Sequence, residues 1–207
     1  MRLEYRLKAF VEVFGKRLRL NLAYDTVLRV YELLGEDVLD ADKTAVAFRL
    51  LVRNYRGVKR WNIQQKALAV DEIFKQFIIT DKKSDDDGKK YMDFKQDADY
   101  IYASFLLDYG VDLIEQQGCL DWRRFAAMLG GLSDRTKMRE VMSIRAAEIP
   151  ALTEHNGEYV QQLVKAKTHY ALEVSANDAE NNVQQGLAKL FGALKAQAKA
   201  GGNSVRR

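Results

Sequence analysis

The side chains most able to do chemistry are scarce in this chain. It has two histidines, His155 and His169, and one cysteine, Cys119. A common structural zinc site takes four ligands from Cys and His side chains, and this set is too small to supply them. His169 and Glu173 stand four residues apart, a spacing that puts two ligands on one helix face. Because exposed polar residues often fall at this spacing by chance, we expect no metal site.

An acidic stretch at residues 81–90 superficially resembles a calcium-binding loop. Its sequence, DKKSDDDGKK, contains three consecutive aspartates followed by Gly88. An EF-hand loop carries Asp at position one, Gly at position six and Glu at position twelve. With Gly88 at position six, the first and last positions hold Lys83 and Phe94, so the pattern fails at both ends. The stretch has no apolar residue and therefore predicts a solvated loop.

The remaining reactive side chains do not predict catalysis. Asp97 and Asp99 could do acid–base work in a concave site, but at i,i+2 they point to different sides of a helix. Asp97 near the helix start is better explained by a favourable interaction with the helix dipole. Cys119 has no neighbouring His or basic pair to activate its thiol. Phosphate-binding and dinucleotide-binding glycine motifs are missing from the sequence. We therefore expect a protein that is not an enzyme and needs no cofactor.

A basic stretch is the best candidate for nucleic-acid binding. It contains no acidic residue, and Tyr55 and Trp61 are interleaved with its bases, so it could neutralise phosphates while the rings stack on nucleobases. Its first two arginines, however, fall on the solvent side of an amphipathic helix, where charge is ordinary. A net charge of +4 is also low for a dedicated binder, so nucleic acid is the less favoured partner. The six bases are Arg49, Arg53, Arg56, Lys59, Arg60 and Lys66.

The overall composition is that of a chain that folds around a core. Of 207 residues, 47% are hydrophobic and 30% are charged. Residues 71–112 hold eleven acids against six bases, and such a dipolar surface could contact nucleic acid, an acidic partner or a second copy of the chain. There is no uncharged apolar run of about 18 residues, so we expect no membrane segment. A single cysteine suits a reducing compartment.

Residues 3–22 predict a β-hairpin. Apolar and polar residues alternate on both sides of Gly15-Lys16, and a two-residue turn with Gly first is typical of type II′. The predicted cross-strand pairs are Val13 with Leu18, Val11 with Leu20 and Glu12 with Arg19.

Beyond residue 21 the period changes to that of helices. Apolar residues recur at three- and four-residue spacing, and a side chain able to cap a helix precedes most of the runs. The expected inward residues include Val46 in the second helix and Leu106 in the helix after Asp93. The predicted N-caps are Asp25, Asp42, Asn62, Asp93, Asp121 and Ser133.

This pattern predicts a mainly α protein, with an N-terminal β-hairpin followed by a helical domain and a C-terminal helical pair. We expect the hairpin and helical core in residues 1–149, a C-terminal helical segment in residues 158–200 and a frayed tail in residues 201–207. A polar break that begins at Pro150, the only proline, separates the first two parts.

The last predicted helix, residues 177–200, carries a continuous apolar stripe. Four of its members recur at i, i+4, i+7 and i+11, the anchor spacing of helix-in-groove contacts, and Phe191 lies beside them. The stripe must be buried, either on its own domain or against another copy or a partner. The predicted partner-binding residues are Val183, Leu187, Leu190, Phe191 and Leu194.

Motifs in the middle and end of the chain resemble those of a bacteriophage family usually called gene-product fifteen. None of the motifs has a catalytic meaning, and together they cover most of the chain. The similar segments are FKQDADYIYASF at 94–105, DYGVDL at 108–113, LDWRRF at 120–125, GLS at 131–133, residues 137–145, EYVQQL at 158–163 and YAL at 170–172.

The resemblance implies a tail assembly chaperone or related tail morphogenesis protein, encoded beside the tape measure gene. The expected partners are the tape measure protein, the tail tube protein or both, and self-association into a homo-oligomer stays open. The expected location is the host bacterial cytoplasm, with the tail or neck of the virion as the alternative. The rival functions are a virion structural protein, such as a neck or tail completion component, and then a nucleic-acid-binding protein.

Overall fold

The computed structural model describes residues 4–79, 91–153 and 155–173. These residues are mainly helical and begin with an antiparallel two-stranded hairpin, which confirms the predicted fold class. The strands are β1 (Phe10–Val13) and β2 (Lys16–Arg19). The helices are α1 (Tyr24–Gly35), α2 (Asp40–Leu51), α3 (Ile63–Ile73), α4 (Ala98–Tyr109), α5 (Trp122–Gly130), α6 (Lys137–Ala146) and α7 (Gly157–His169), with a 3-10 turn at Tyr55–Gly57 and a π-helical turn at Phe74–Ile78.

The described residues form two compact units. The first contains residues 4–79 and 117–125, and the second contains residues 91–116, 126–153 and 155–173. The division falls within α5, after Phe125. The predicted split into a core at 1–149 and a segment at 158–200 stays a prediction, because most of that segment follows residue 173.

The hairpin turn lies at Phe14 and Gly15, one residue earlier than predicted. Both residues have positive φ, 50° for Phe14 and 67° for Gly15. Positive φ at both central positions defines a type I′ turn, whose twist matches that of the flanking strands. The predicted type II′ turn at Gly15-Lys16 is therefore wrong. Gly15 takes the second central position, where a residue without Cβ adopts positive φ at little steric cost.

This turn changes the pairing of the strands but keeps the predicted buried face. Val11 lies opposite Leu18 and Glu12 opposite Arg17, so each partner is two residues closer to the turn than predicted. A shift of two residues leaves every side chain on its original face, because strand side chains alternate with period two. Val11, Leu18 and Leu20 are accordingly buried, whereas Glu12 and Arg17 form an exposed ion pair at 2.9 Å.

The extended residues between β2 and α1 hold the first unit together. The backbone N–H of Asn21 donates to the carbonyl of Leu51 at 2.8 Å, and that of Trp122 donates to the carbonyl of Leu22 at 2.7 Å. One short segment thus bonds to the end of α2 and to the start of α5, which are far apart in the sequence. Two antiparallel bridges accompany these bonds, Leu20 with Val52 and Ala23 with Asp121.

Trp122 is buried and organises the aromatic core of the first unit. Its ring packs 5.6 Å from that of Phe125, which stacks on Tyr24 at 4.9 Å. The indole Nε1–H donates to the carbonyl of Ile78 at 3.1 Å, at the last residue of the π-helical turn. Because its N–H has a partner, the indole can be buried without leaving an unsatisfied donor.

Two of the predicted helix caps are confirmed. Asn62 Oδ1 accepts the backbone N–H of Gln65, and the Gln65 side chain accepts that of Asn62, which completes a capping box before α3. Asp121 Oδ1 accepts the backbone N–H of Arg123 at 2.9 Å in the first turn of α5. In both cases the partner lies within three residues, a range that local sequence specifies.

Three other predicted caps are wrong. Asp25 and Asp42 lie inside the first turns of α1 and α2, which begin after extended residues whose side chains make no cap bond. The Asp25 carboxylate instead accepts the backbone N–H of Gly118 at 2.8 Å. Ser133 lies three residues before Thr136, the N-cap residue of α6. Tertiary hydrogen bonding therefore overrides the local capping signal at Asp25.

A buried ion pair between Asp97 and Arg145 ties α4 to α6 in the second unit. The guanidinium donates to both carboxylate oxygens, at 2.6 and 2.8 Å, and the side chains are 0% and 7% exposed. Its remaining donors reach the carbonyls of Tyr91 at 2.9 Å and Tyr170 at 2.6 Å. The backbone N–H of Asp93, a predicted cap whose carboxylate closes the turn before α4, also donates to Asp97. Asp97 thus joins α4 to α6, in addition to the interaction with the helix dipole that the sequence predicts.

Lys167 joins α7 to the end of α6. Its ammonium donates to the carbonyls of Ile144, Arg145 and Ala147 at 3.1, 2.7 and 2.7 Å. The last carbonyls of a helix lack partners within the helix, and positive charge is favourable there. Lys167 therefore caps α6 from a neighbouring helix.

Replacing Gly15 with Ala should weaken the hairpin. A Cβ at positive φ costs about 1–2 kcal/mol, so we expect the free energy of unfolding to fall by about that amount. Gly57 is the matched control, since its φ is not positive and an added Cβ would meet nothing within 4 Å. Gly57→Ala should change stability by under about 0.5 kcal/mol in urea unfolding followed by circular dichroism. Equal effects at the two glycines would contradict the type I′ turn.

Removing one partner of the buried ion pair should be strongly destabilising. Asp97→Ala leaves the Arg145 guanidinium buried without its counter-charge, which costs about 3–5 kcal/mol. The control is Glu140→Ala, which removes a carboxylate from the exposed pair with Lys137 in the same unit. That change should cost under about 1 kcal/mol. Urea unfolding at neutral pH measures both, and a small loss for Asp97→Ala would refute the central role of the pair.

Candidate functional site

The basic stretch of the sequence lines a depression on the first unit. The depression lies at the C-terminal end of α2 and the 3-10 turn, and its volume is about 610 Å³. Arg49, Arg53 and Arg56 line it, together with Asn21 and Tyr55. We call this feature the arginine depression. It places three exposed guanidinium groups around one concave surface.

Two arginines of this depression, Arg49 and Arg53, contact neutral groups. The Arg49 guanidinium lies 6.0 Å from the ring centroid of Tyr55. Arg53 Nη2 donates to the side-chain oxygen of Asn21 at 3.2 Å. Among the residues that the structure describes, no carboxylate forms an ion pair with Arg49, Arg53 or Arg56. The positive charge of the depression is therefore available to an external anion.

The aromatic residues of the basic stretch pack into the first unit. Tyr55 is half-buried with its ring 6.0 Å from that of Phe48. Trp61 is half-buried between Phe48 at 5.8 Å and Phe14 at 5.6 Å. Tyr55 also lines the depression, whereas Trp61 lies outside its lining. The sequence shows these two aromatic residues among the bases, but it could not show that their rings pack against other aromatic residues of the first unit.

A second candidate surface is an exposed pair of leucines near the end of α4, in the second unit. The side chains of Leu106 and Leu107 are 47% and 66% exposed. The prediction that Leu106 faces inward is wrong, because Ile101 and Phe105 supply the buried face of α4. Adjacent residues on a helix are about 100° apart, so a narrow buried face cannot take up Phe105 and both leucines. We call these two residues the α4 leucine pair.

The end of α4 that carries the leucine pair is anchored by polar contacts. Asp108 accepts hydrogen bonds from the backbone N–H of Ser133 at 2.6 Å and from its hydroxyl at 2.8 Å. These bonds hold the pKa of the Asp108 carboxyl below its usual range. The Tyr109 hydroxyl donates to the carbonyl of Met128 at 2.8 Å, and Gly110 ends the helix with a φ of 62°. The leucines are therefore exposed on a fixed helix end.

The reactive side chains that the sequence singles out are not brought together into a site where the structure describes them. The His169 ring contacts that of Tyr170 at 4.7 Å, at the end of α7. Cys119 is exposed and forms no disulfide. Within residues 4–79, 91–153 and 155–173, no group of three His, Cys, Asp or Glu side chains is arranged to hold a metal ion. The same ranges contain no helix that is long and apolar enough to span a membrane.

The predicted partner-binding stripe cannot be compared with the structure. Val183, Leu187, Leu190, Phe191 and Leu194 all lie outside the described residues. Their role stays a prediction.

Converting the α4 leucine pair to serine should leave the fold intact. Both side chains are largely solvated, so Leu106→Ser/Leu107→Ser should change the free energy of unfolding by under about 1 kcal/mol. Phe105→Ala is the matched control, since Phe105 is fully buried one residue away and its truncation should cost about 3–5 kcal/mol. Urea unfolding distinguishes the two variants. A comparable loss in both would show that the leucines belong to the core.

Comparison with known proteins identifies the family of the chain. A family model described as "Bacteriophage Gp15 protein" matches residues 3–172, which include the hairpin and all seven helices that the structure describes. No curated protein and no solved structure matches the chain. The matched region also contains the segments whose sequence resembles this family, from residue 94 to residue 172. The chain belongs to the bacteriophage Gp15 protein family and is therefore a phage protein.

Proposed function

We propose that this protein is a tail assembly chaperone that binds the tape measure protein, the tail tube protein or both during tail morphogenesis. Membership of the phage Gp15 family supports a role in the phage life cycle. The observation that carries the proposal is the α4 leucine pair, two adjacent aliphatic side chains exposed on an anchored helix end. Exposed apolar groups of this kind are what a binder of aggregation-prone polypeptide requires.

The proposed mechanism is the shielding of apolar segments on a long helical client. An amphipathic helix buries its anchors in complementary apolar surface, and polar groups around that surface set the register. The α4 leucine pair would contribute apolar contact. The predicted stripe from Val183 to Leu194 would add a second set of anchors at helical spacing. On this proposal the protein acts in the host bacterial cytoplasm, without a cofactor and without catalysis.

Co-expression with the tape measure protein of the same phage tests the proposal. We expect the chaperone to co-purify with the tape measure protein and to raise its soluble fraction several-fold over expression alone. The Leu106→Ser/Leu107→Ser variant should remain folded and lose much of this effect. An exposed aliphatic residue on the other unit, Leu39, supplies the control Leu39→Ser, which should behave like the unmodified protein.

Mass spectrometry of purified virions provides the opposing outcome. A chaperone should be abundant in infected cells and missing from finished particles. Recovery from virions at the stoichiometry of a tail subunit would refute the proposal in favour of a structural neck or tail completion protein. Failure of the tape measure and tail tube proteins to co-purify with the chain would refute it as well.

A further inference from the structure

We propose that the arginine depression is the docking site for an acidic segment of a partner protein that also carries apolar anchors. This inference rests on the proposed function as a binder of morphogenetic proteins and assigns the binding to a surface. The partner is defined by its chemistry, namely closely spaced carboxylates beside aliphatic side chains.

The end of α2 and the residues that follow it supply the groups for such a segment. Arg49 lies in the last turn of α2, whereas Arg53 and Arg56 follow the helix, which ends at Leu51. Val46 and Leu50 are one turn apart on α2 and lie beside Arg49 on the helix surface, and Leu50 also lines the depression. Val46, which the sequence places in the core, is 44% exposed, because Ala47, Phe48 and Leu51 supply the buried face of the helix. An aliphatic pair thus lies beside the first of the three arginines.

The chemistry of these rows matches glutamate and leucine side chains on a partner. A guanidinium donates two parallel hydrogen bonds to one carboxylate, which gives arginine geometric selectivity for carboxylates. Arg49 and Arg53 are already restrained by Tyr55 and Asn21, so less conformational entropy is lost when a carboxylate binds. Arg56 extends the cationic surface beyond the end of α2. Arginine is also among the residues that contribute most to protein interfaces.

Packing of the aromatic residues favours a protein partner over a nucleic acid at this surface. Single-stranded nucleic-acid sites combine basic residues with aromatic faces on which bases stack. Trp61 lies outside the lining of the depression and packs against Phe48 and Phe14, so Tyr55 is the one ring of this pair that lines it. Beside its charge, the depression offers Leu50, with Val46 one turn earlier on α2, and these aliphatic side chains suit the apolar anchors of a polypeptide.

Fluorescence anisotropy with a defined probe tests the inference. The probe is a fluorescein-labelled 18-residue helical peptide with leucines along one face and glutamates one turn apart beside them. We expect binding that weakens at least tenfold when every glutamate of the probe is replaced by glutamine. We also expect at least tenfold weakening by Arg49→Glu/Arg56→Glu, two exposed side chains of the depression.

The control variant is Lys59→Glu/Arg60→Glu, which changes the net charge by the same amount at exposed positions outside the lining. It should weaken probe binding less than threefold, and both variants should keep the melting temperature of the unmodified protein. No binding of the probe, or equal weakening by the two double variants, would overturn the inference. The inference would also be overturned if an 18-nucleotide single-stranded DNA bound more tightly than the peptide probe and the Arg49→Glu/Arg56→Glu variant no longer bound that DNA. Light scattering that shows a dimer dissociated by this variant would assign the surface to a second copy of the chain instead.

Co-expression separates failure of this inference from failure of the proposed function. If the unmodified protein co-purifies with the tape measure or tail tube protein and Arg49→Glu/Arg56→Glu does so equally well, the docking site is wrong and the proposed function stands. If neither the tape measure protein nor the tail tube protein co-purifies with the unmodified protein, the proposed function fails. The peptide experiment alone then decides the inference. Loss of co-purification in Arg49→Glu/Arg56→Glu, with retention in Lys59→Glu/Arg60→Glu, supports both.

Discussion

The second unit depends on the need to neutralise a buried charge. Asp97 and Arg145 come from helices far apart in the sequence, and both side chains are almost fully shielded from water. Each ion alone would be too costly to bury, so α4 and α6 must meet where the two charges pair. The carbonyls of Tyr91 and Tyr170 complete the hydrogen bonding of the guanidinium, so the chain before α4 and the chain after α7 are fixed by the same requirement. One electrostatic constraint thus sets the positions of four segments.

Features decided within a few residues could be predicted from the sequence, whereas those decided by distant partners could not. The capping box of Asn62 and Gln65 spans three residues, and it forms as the sequence predicts. Asp25 carries the same local signal as a cap, but its carboxylate bonds to Gly118, 93 residues away. The hairpin lies between these cases. The alternation of apolar and polar residues determines which face of the hairpin is buried, whereas the turn type determines the pairing of the strands. The turn type could not be predicted, because the residue type of Phe14 does not indicate a positive φ.

The candidate surfaces also combine features that local sequence predicts with features that distant residues decide. The charge of the arginine depression is visible in the sequence, because a stretch without acids must expose most of its bases. That Tyr55 and Trp61 would pack against Phe48 depends on the arrangement of α2, the 3-10 turn and the hairpin, which no local pattern encodes. The α4 leucine pair could have been suspected, since Phe105, Leu106 and Leu107 cannot all face one narrow core. Which of them is buried is decided by the neighbouring α6.

The way Lys167 attaches α7 has a consequence for motion within the second unit. None of the residues from Gly157 to His169 is buried, so this helix adds little apolar area to the core. Its links to α6 are the charge-assisted hydrogen bonds from Lys167 to three carbonyls and, at its C-terminal end, the bond from Arg145 to the carbonyl of Tyr170. Such bonds can be exchanged for water at a much smaller cost than opening a core. Separation of α7 would leave the apolar contacts between α4 and α6 intact, so we expect the amides of α7 to exchange with solvent faster than those of α4 and α6.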